Sequence, residues 1–341
     1  MVRVIAECAQ GYLMPDITDS IQLAKWLVKS SKASGADATK FQLVLADELC
    51  TPDYKYYELS KNLELGFNGW KEICQLSKKI GLEMIFDVFG IESLKMAENL
   101  GVSEVKLHPT DFRNNLLLEK VSKSKQIKKV IAGCGGSEFS EIKRTLKILG
   151  SHKQITLLHG FQGYPTPLEE NCLDRIKILL SLAEKMGNHI QIGFADHADP
   201  GSYDSTHLAS MAVGLGATTL EKHLTLSRCL KLEDHESALS PDELKVFVDI
   251  IKRISKSKGK LSQNSPNYNL PPAEIKYREF CIRHVVSKRE IKENQIISNE
   301  DVCLKRSSSI DPITNLNDVI GKKSKRIIPA NQFIVSSDLV K

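Results

Sequence analysis

The sequence predicts an (α/β)8 barrel over about the first 250 residues, followed by a small, mostly β module. Three observations support this fold class. Short apolar runs alternate with longer amphipathic stretches, and glycines follow several of these stretches, where helix C-terminal caps are expected. A segment rich in Ser, Asn, Gly and Pro then follows the last helical pattern, which is typical of a linker.

The eight apolar runs are short enough to be strands and are separated by helical patterns, as a barrel of eight strand-helix units requires. The predicted strands are 2–6, 38–42, 83–88, 104–107, 128–132, 155–159, 191–194 and 219–222. The helical patterns include 17–34, 68–80, 91–100, 138–149, 168–186, 203–215 and 241–255. A doubly wound open sheet is the alternative, but no Gly-x-Gly-x-x-Gly motif follows the first strand.

Length and composition predict more than one domain. The chain has 341 residues, 41% of them hydrophobic, enough for one large core and a small module. We expect a barrel domain at 1–256, a linker at 257–275 and a C-terminal module at 276–341. That module has 13 Lys and Arg against 8 Asp and Glu, an excess that equals the net charge of +5 of the whole chain.

Composition also argues against several protein classes. No apolar run approaches the ~18 residues of a membrane span, and the first charge comes too early for a signal peptide. The eight cysteines are scattered without a Cys-x-x-Cys pair, which suggests reduced thiols and a cytoplasmic protein. The basic module lacks a basic run with interleaved aromatics, so a small anionic substrate is an equally good explanation of its charge as a nucleic acid.

The predicted strands end in unusually polar residues. Active sites of such barrels form where the strands end, and burying several ionisable groups there is costly unless they are paired or used. A functional cluster is therefore the better interpretation, although the lysines could pair with the acids for stability alone. The polar residues at or just after strand ends include Glu7, Lys40, Asp87, Lys106, His108, Asp111, His159, His197, Glu221 and His223.

Two of these histidines follow strands in similar contexts, Gly-Phe-Ala-Asp-His at 193–197 and Leu-Glu-Lys-His at 220–223. If both strands belong to one barrel, His197 and His223 project into the same mouth and could hold a divalent metal. The alternative is that each is a hydrogen-bonded core histidine.

The loop 133–137 after the fifth predicted strand reads Gly-Cys-Gly-Gly-Ser. It lies just before a helix start, so its backbone N–H groups could hold an anion, with Gly135, Gly136 and Ser137 as candidates. A plain strand-to-helix turn is the alternative.

These motifs together resemble the sialic acid synthase family. The resemblance covers nearly the whole chain and rests on motifs that occur in the family's order. They are Ile-Ala-Glu at 5–7, Gly-Ala-Asp-Ala-Thr-Lys-Phe-Gln at 35–42, Tyr-Pro-Thr-Pro-Leu-Glu at 164–169, Ile-Gly-Phe-Ala-Asp-His at 192–197, Gly-Ala-Thr-Thr-Leu-Glu-Lys-His at 216–223 and Glu-Asp-His-Glu-Ser at 233–237.

The resemblance implies a TIM barrel followed by a small antifreeze-like (SAF) domain. It also implies a domain-swapped homodimer, in which that domain reaches over the neighbouring subunit's active site. Arg306, in the Lys-Arg-Ser-Ser-Ser segment at 305–309, would then contact the sugar.

By resemblance, the protein is a transferase that joins phosphoenolpyruvate to the open-chain aldehyde of an N-acyl hexosamine such as N-acetylmannosamine. The products are a sialic-acid-like nonulosonic acid, used in cell-surface polysaccharides, and phosphate. His197 and His223 would bind Mn²⁺ or Mg²⁺, which polarises the aldehyde. The implied catalytic residues are Glu7, Lys40, Lys106, Asp111 and Asp234; the implied substrate-binding residues are His108, Asn114, Gly135, Gly136, Ser137, Gln162, Tyr164 and Arg306.

The sequence departs from the family at the phosphate site. Three family serines that contact the donor phosphate correspond here to Pro109, Gly133 and Ala195, and the family's His-Cys-Thr-Ser segment is His-Gly-Phe-Gln at 159–162. We expect His108, Gln162 and the 133–137 backbone to replace the missing hydroxyls.

Two other functions remain open. Because the serines are lost, the barrel could use another aldose or another keto-acid donor to make a related 3-deoxy-2-keto sugar acid. A catalytically silent carbohydrate-binding protein is the third hypothesis. Retention of the lysines, the carboxylates and the histidine pair argues against it, since binding alone needs no metal pair.

Overall fold

The computed structural model describes residues 2–14, 19–161, 163–202, 204–259, 270–308, 311 and 313–340. Its chain divides into two compact units, Met1–Gly259 and Lys260–Lys341. Residues 260–269 of the predicted linker, the first residues of the helical patterns at 17 and 203, and Gln162 lie outside the described residues. No described helix is both long and apolar enough to span a bilayer.

Within the described residues, the first unit contains eight parallel strands that close in sequence order, β1 pairing with both β2 and β8. This confirms the predicted (α/β)8 barrel. The strands are β1 Arg3–Ala9, β2 Ala38–Gln42, β3 Glu83–Val88, β4 Glu104–Leu107, β5 Lys129–Gly133, β6 Gln154–His159, β7 Ile190–Asp196 and β8 Thr219–His223.

All the described helices of this unit except the short α2 and α3 pack apolar faces against the outside of the barrel in one continuous hydrophobic core. They are α1 Ser20–Ala33, α2 Ala46–Leu49, α3 Tyr57–Asn62, α4 Gly66–Lys79, α5 Ile91–Asn99, α6 Asn115–Lys123, α7 Phe139–Leu149, α8 Arg175–Met186, α9 Asp204–Leu215 and α10 Pro241–Ile254.

Several helical regions differ from the predicted pattern, and the short helices α2 and α3 were not predicted. The stretch 168–186 is a 3-10 turn, Leu168–Asn171, followed by α8, because Cys172 takes a left-handed conformation with φ of 44° that an α-helix cannot contain. Helix α6 was not predicted. Its start is fixed by Asn114, whose side-chain oxygen accepts a hydrogen bond from Leu117 N at 3.1 Å.

Inside the barrel, side chains alternate along each strand between the interior and the helix layer. A buried apolar layer fills the interior and consists of Ile5, Ala38, Ile85, Ile131, Leu158 and Ala195. Two residues further along β1, β2 and β3 the inward side chains are charged, at Glu7, Lys40 and Asp87. The apolar layer thus forms a floor beneath a polar mouth.

The second unit has its own small core, which includes Val285, Val302 and Ile328. It contains α11, Pro272–Cys281, and a two-stranded antiparallel sheet of β9, His284–Ser287, and β10, Val302–Lys305. Isolated antiparallel bridges such as Ile291 with Ile328 complete the predicted mostly β module. Helix α11 was not predicted, and it crosses the expected linker boundary at residue 275.

Candidate active site

Five charged side chains form a layer at the carboxyl end of the barrel interior. All are buried, with at most 5% of their surface exposed: Glu7, Lys40, Asp87, Lys106 and Glu221. Strand register places them side by side, since Glu7 pairs with Lys40 and Asp87 with Lys106 across neighbouring strands. Glu7, Lys40 and Asp87 each lie two residues after a residue of the apolar floor, and strand pairing brings Lys106 beside Asp87.

The layer is a network of alternating charges. Lys40 Nζ contacts Glu7 and lies 2.9 Å from Asp87 Oδ2 and 3.7 Å from Glu221 Oε2. Lys106 Nζ lies 2.7 Å from Glu221 Oε1 and 3.9 Å from Asp87 Oδ2. Two ammonium groups thus face three carboxylates. An anionic ligand must compete with these carboxylates for both lysines.

Burial and neighbouring charges shift the pKa values of this network in opposite directions. Burial lowers the pKa of Lys40, despite the attraction of Asp87 and Glu221. The same burial opposes the charge of Lys106, but Asp87 and Glu221 outweigh it and raise the pKa of Lys106. The two lysines outweigh the effect of burial on Asp87, so the pKa of Asp87 is lowered. Lys40 is therefore the cation that is costlier to keep charged.

The two histidines predicted to bind metal lie together at the mouth. The ring centroids of His197 and His223 are 5.2 Å apart, and the Tyr164 ring lies edge-on to both at 4.9 and 5.4 Å. Burial lowers the pKa of His197 to about 4 and that of His223 well below its usual value. Both imidazoles are therefore neutral at physiological pH, which is the form that binds metals.

The donor set fits a metal that takes only two protein ligands. His197 Nδ1 donates a hydrogen bond to Phe161 O at 2.6 Å, which leaves the Nε2 lone pair as the ligand atom. His223 Nδ1 lies 3.5 Å from Asp234 Oδ2. Among the described residues, no three or more His, Cys, Asp and Glu side chains are arranged to hold a metal. Any ion held by the two histidines would take its remaining ligands from substrate and water.

Two carboxyl groups at this end have strongly raised pKa values. Burial, with the nearby charges of Glu233 and Glu236, raises the pKa of Asp234 to about 7. Burial, with Asp87 and Glu48, raises the pKa of Asp111 to about 7. Each carboxyl group exchanges its proton near neutral pH, as general acid-base catalysis requires.

The predicted phosphate loop forms a turn in which Gly136 has φ of 78°. Among the described residues, the buried Ser137 Oγ has no hydrogen-bond partner. The start of α7 is already capped by acids, since Glu138 N donates to Glu141 Oε2 at 2.9 Å. An anion bound at this loop would therefore depend on the amides of Gly135 and Gly136 and on Ser137, and its binding there stays a prediction.

Of the three positions predicted to replace serines, Pro109 packs against Gly133, and Ala195 packs against Gly160. A Cβ atom at Gly133 would lie 3.0 Å from Pro109 Cδ, and one at Gly160 would lie 2.8 Å from Ala195 Cβ. Small or apolar residues therefore fill this side of the mouth, and a side chain at Gly133 or Gly160 does not fit unless its neighbour moves.

Other predicted binding residues lie in different places. His108 Nδ1 is 2.8 Å from Thr110 Oγ1, next to Asp111. The Asn114 oxygen is engaged in capping α6. Arg306 belongs to the second unit, where it is exposed and its guanidinium carbon lies 5.7 Å from the centre of the Phe280 ring.

Sequence reasoning noted Asp87 and Glu221 at strand ends but gave them no role in the site. Their signal was the two-residue alternation, because Asp87 lies two residues after the inward Ile85 and Glu221 lies two before His223. Both are as deeply buried as the assigned Glu7.

Comparison with known proteins shows that this chain matches one protein family and one further domain type. Residues 27–263 match the NeuB family and residues 282–340 match the SAF domain. An uncharacterized protein of Methanocaldococcus jannaschii is 30% identical over 94% of this chain and 90% of that protein. The N,N'-diacetyllegionaminic acid synthase of Campylobacter jejuni is 28% identical over 92% of this chain and 94% of that synthase.

A solved structure shares both fold and sequence with this chain. The N-acetylneuraminic acid synthetase of Leptospira borgpetersenii, crystallised with citrate, superposes with a TM-score of 0.71 at 26% identity. It covers 82% of this chain and 92% of that one.

Proposed function

The chain belongs to the NeuB family, and we propose that it is a transferase that condenses phosphoenolpyruvate with the open-chain aldehyde of an N-acyl hexosamine. The products are a nonulosonic acid and phosphate. The observation that carries this proposal is the buried layer of Lys40, Lys106 and three carboxylates directly beside His197 and His223. A binding protein has no use for so costly an arrangement.

The donor carries a carboxylate and a phosphate, and the two lysines supply the matching positive charges. Lys106, whose pKa is raised, stays ammonium throughout and suits a permanent anion. When the donor binds, its anions replace part of the carboxylate shell around the lysines. Glu7 Oε1 also accepts a hydrogen bond from Ala9 N at 2.6 Å, which fixes this carboxylate when Lys40 turns to the donor.

Carbon-carbon bond formation needs a polarised aldehyde and then a water molecule. A divalent ion on His197 and His223, Mn²⁺ or Mg²⁺, would act as the Lewis acid. The enol carbon attacks the aldehyde carbon, whose oxygen gains a proton. Water then adds to the electron-poor carbon that carried the phosphate group, loses a proton, and phosphate leaves. Asp234 and Asp111, whose pKa values are about 7, are suited to these proton transfers.

The family resemblance also supports a cytoplasmic homodimer in which Arg306 of one copy contacts the sugar in the other. Light scattering coupled to size-exclusion chromatography measures the mass in solution. We expect twice the 38.1 kDa of one chain, and a monomer at micromolar concentration would contradict it.

A phosphate-release assay tests the proposed reaction directly. The chain is incubated with phosphoenolpyruvate and Mn²⁺, with and without EDTA, together with a panel of N-acyl hexosamines, their 6-phosphates and plain aldoses. We expect release that requires an N-acyl hexosamine and is abolished by EDTA, His197→Ala or His223→Ala. His152→Ala, in an exposed loop before β6, is the matched histidine control. No release with any acceptor would favour the carbohydrate-binding protein.

A second candidate function comes from the apolar packing around Pro109, Gly133, Gly160 and Ala195. It favours a synthase of a related 3-deoxy-2-keto sugar acid with a different aldose or keto-acid donor. Release with plain aldoses but not with N-acyl hexosamines would support it.

A further inference from the structure

A second buried ion pair lies immediately before the two histidines. Asp196 and Lys222 are directly opposite each other on β7 and β8, and each precedes a histidine of the proposed metal pair. Both side chains are fully buried, with Lys222 Nζ 3.3 Å from Asp196 Oδ1. Because side chains alternate along a strand, this pair faces the helix layer while the histidines face the barrel mouth.

Stability alone does not explain this pair. A buried ion pair is often no more stabilising than well-packed apolar residues of similar volume. Two residues earlier on the same faces, Phe194 and Leu220 occupy the equivalent opposed positions, and both are fully buried in the hydrophobic core. On this face of β7 and β8, the opposed pair next to the histidines is therefore charged, whereas the preceding pair is apolar.

The pair also holds the backbone that follows His197. Asp196 Oδ1 accepts a hydrogen bond from Ala198 N at 2.9 Å, and Lys222 Nζ donates to Ala198 O at 3.1 Å. Both backbone polar groups of residue 198 are therefore bound by the ion pair. Because Lys222 belongs to β8 and precedes His223, these two hydrogen bonds connect residue 198 to β8.

The carbonyl of His197 itself is held from the other side. It accepts hydrogen bonds from Thr166 N at 2.9 Å and from Ser237 Oγ at 2.8 Å. Together with the two hydrogen bonds to residue 198, these contacts leave the backbone at His197 little freedom to shift relative to β8.

We propose that Asp196 and Lys222 are positioning residues that fix the separation and orientation of His197 and His223 for joint binding of one divalent metal ion. The inference rests on the proposed function, which assigns the metal to these histidines. Groups that orient metal ligands typically change metal affinity by roughly 10–100-fold when they are removed.

Mn²⁺ binding to the metal-free full chain, without substrates, tests this role. Free Mn²⁺ is measured by electron paramagnetic resonance for wild type, Asp196→Asn and Asp196→Asn/Lys222→Met. Glu104→Gln is the matched control, because the buried Glu104 pairs with the partly exposed Arg3 at 2.7 Å at the opposite end of the barrel. Thermal unfolding in EDTA checks that each variant is folded.

We expect the dissociation constant for Mn²⁺ to rise at least tenfold in the Asp196 variants and less than twofold in Glu104→Gln. Wild-type affinity in the Asp196 variants, or an equal loss in the control, would overturn the positioning role. If the double variant does not fold, Asp196→Asn alone decides, because it removes the negative charge that holds Lys222 Nζ at 3.3 Å, beside Ala198 O. If wild type and His197→Ala bind Mn²⁺ equally weakly, the metal assignment itself fails and the positioning role fails with it.

Discussion

At the scale of single residues, the raised pKa of Asp234 suits catalysis but lowers the stability of the folded protein once this carboxyl group is charged. Its backbone has φ of 58°, and burial together with Glu233 and Glu236 raises its pKa to about 7. Because the pKa is higher in the folded state than in the unfolded chain, folding favours the neutral acid. This contribution is complete below pH 3.8 and is lost as the pH rises through 7.

Asp234→Asn should therefore stabilise the metal-free protein at pH 8 by on the order of 1 kcal/mol, because it removes a buried charge. It should leave stability at pH 4 nearly unchanged. Asparagine tolerates the positive φ, so the backbone adds no strain. Unfolding in EDTA at the two pH values measures this effect. The same variant should remove the limb near pH 7 from the pH profile of kcat/KM; equal destabilisation at both pH values would contradict the assignment.

Lys106→Met should raise KM for phosphoenolpyruvate at least tenfold, since Lys106 is the cation whose charge the network favours. Lys153→Met is the matched control. Lys153 is also buried, but it lies immediately before β6, at the amino end of that strand, and donates to Ile127 O at 2.6 Å. Steady-state kinetics give KM. A similar rise in both variants would indicate a general loss of stability instead of a lost donor contact.

The sequence predicted the assigned residues of the charged layer because each lies at or near the end of a recognisable predicted strand. Glu7 follows the run 2–6, and Lys40 and Lys106 lie within the runs 38–42 and 104–107. Asp87 and Glu221 were noted but unassigned, since neither the resemblance nor charge alone distinguishes a site carboxylate from a structural partner. Only the contacts with both lysines place them in the network. Gln162 lies outside the described residues, so its predicted role stays a prediction.

At the scale of secondary-structure elements, α6 gives Asn114 a structural role. Asn114→Ala should lower the free energy of unfolding by about 1 kcal/mol, because Leu117 N loses its capping acceptor. KM for both substrates should not change. Chemical denaturation and kinetics measure the two effects, and Asn114→Ser, which retains a capping oxygen, should restore stability. A raised KM at unchanged stability would favour the predicted substrate contact.

The strand ends β4 and β5 are coupled through Pro109 and Gly133. Gly133→Ser should destabilise the protein by roughly 1–3 kcal/mol, since its Cβ atom would lie 3.0 Å from Pro109 Cδ. Pro109→Ser combined with Gly133→Ser should lose less than Gly133→Ser alone, because the clash disappears. Gly214→Ser, where a Cβ atom meets nothing within 4 Å, is the control. Denaturant titrations that show simple additivity would contradict the coupling.

Strands were predictable because barrel strands are short apolar runs of fixed length between capped helices. Helix α6 was missed because the preceding 3-10 turn Pro109–Arg113 disguises its start. Helix α11 was missed because its apolar residues do not form one buried face: Ile275, Tyr277 and Phe280 are all exposed. His159 shows the core alternative for a histidine, since its Nε2 donates to Asn171 O at 2.8 Å.

At the scale of the whole molecule, the two ends of the barrel use charge differently. At the amino end, Arg3 pairs with Glu83 and Glu104, and Lys129 lies 3.3 Å from Glu83, so each charge has an opposite partner. At the carboxyl end, carboxylates outnumber lysines and two further acids have pKa values near 7. The sequence could predict which end is functional, because the strand direction is known from the sequence and active sites of such barrels form at the carboxyl ends of the strands.

The second unit was predictable as a module from composition but not in its details. Its core residues, among them Ile291, Val319 and Ile334, are isolated in the sequence and contact each other through turns and single bridges. Such contacts leave no periodic signal. Only the overall β tendency was therefore available from the sequence.

The most direct test of the account is the origin of the oxygen atoms in the released phosphate. In the proposed reaction, water adds to carbon, so phosphate leaves with the bridging oxygen of phosphoenolpyruvate. The reaction is run in H₂¹⁸O with Mn²⁺ and the acceptor panel, and the phosphate is analysed by mass spectrometry. We predict phosphate that depends on an N-acyl hexosamine and contains no solvent ¹⁸O. Acceptor-independent phosphate carrying one solvent ¹⁸O would mean hydrolysis at phosphorus and would contradict the account.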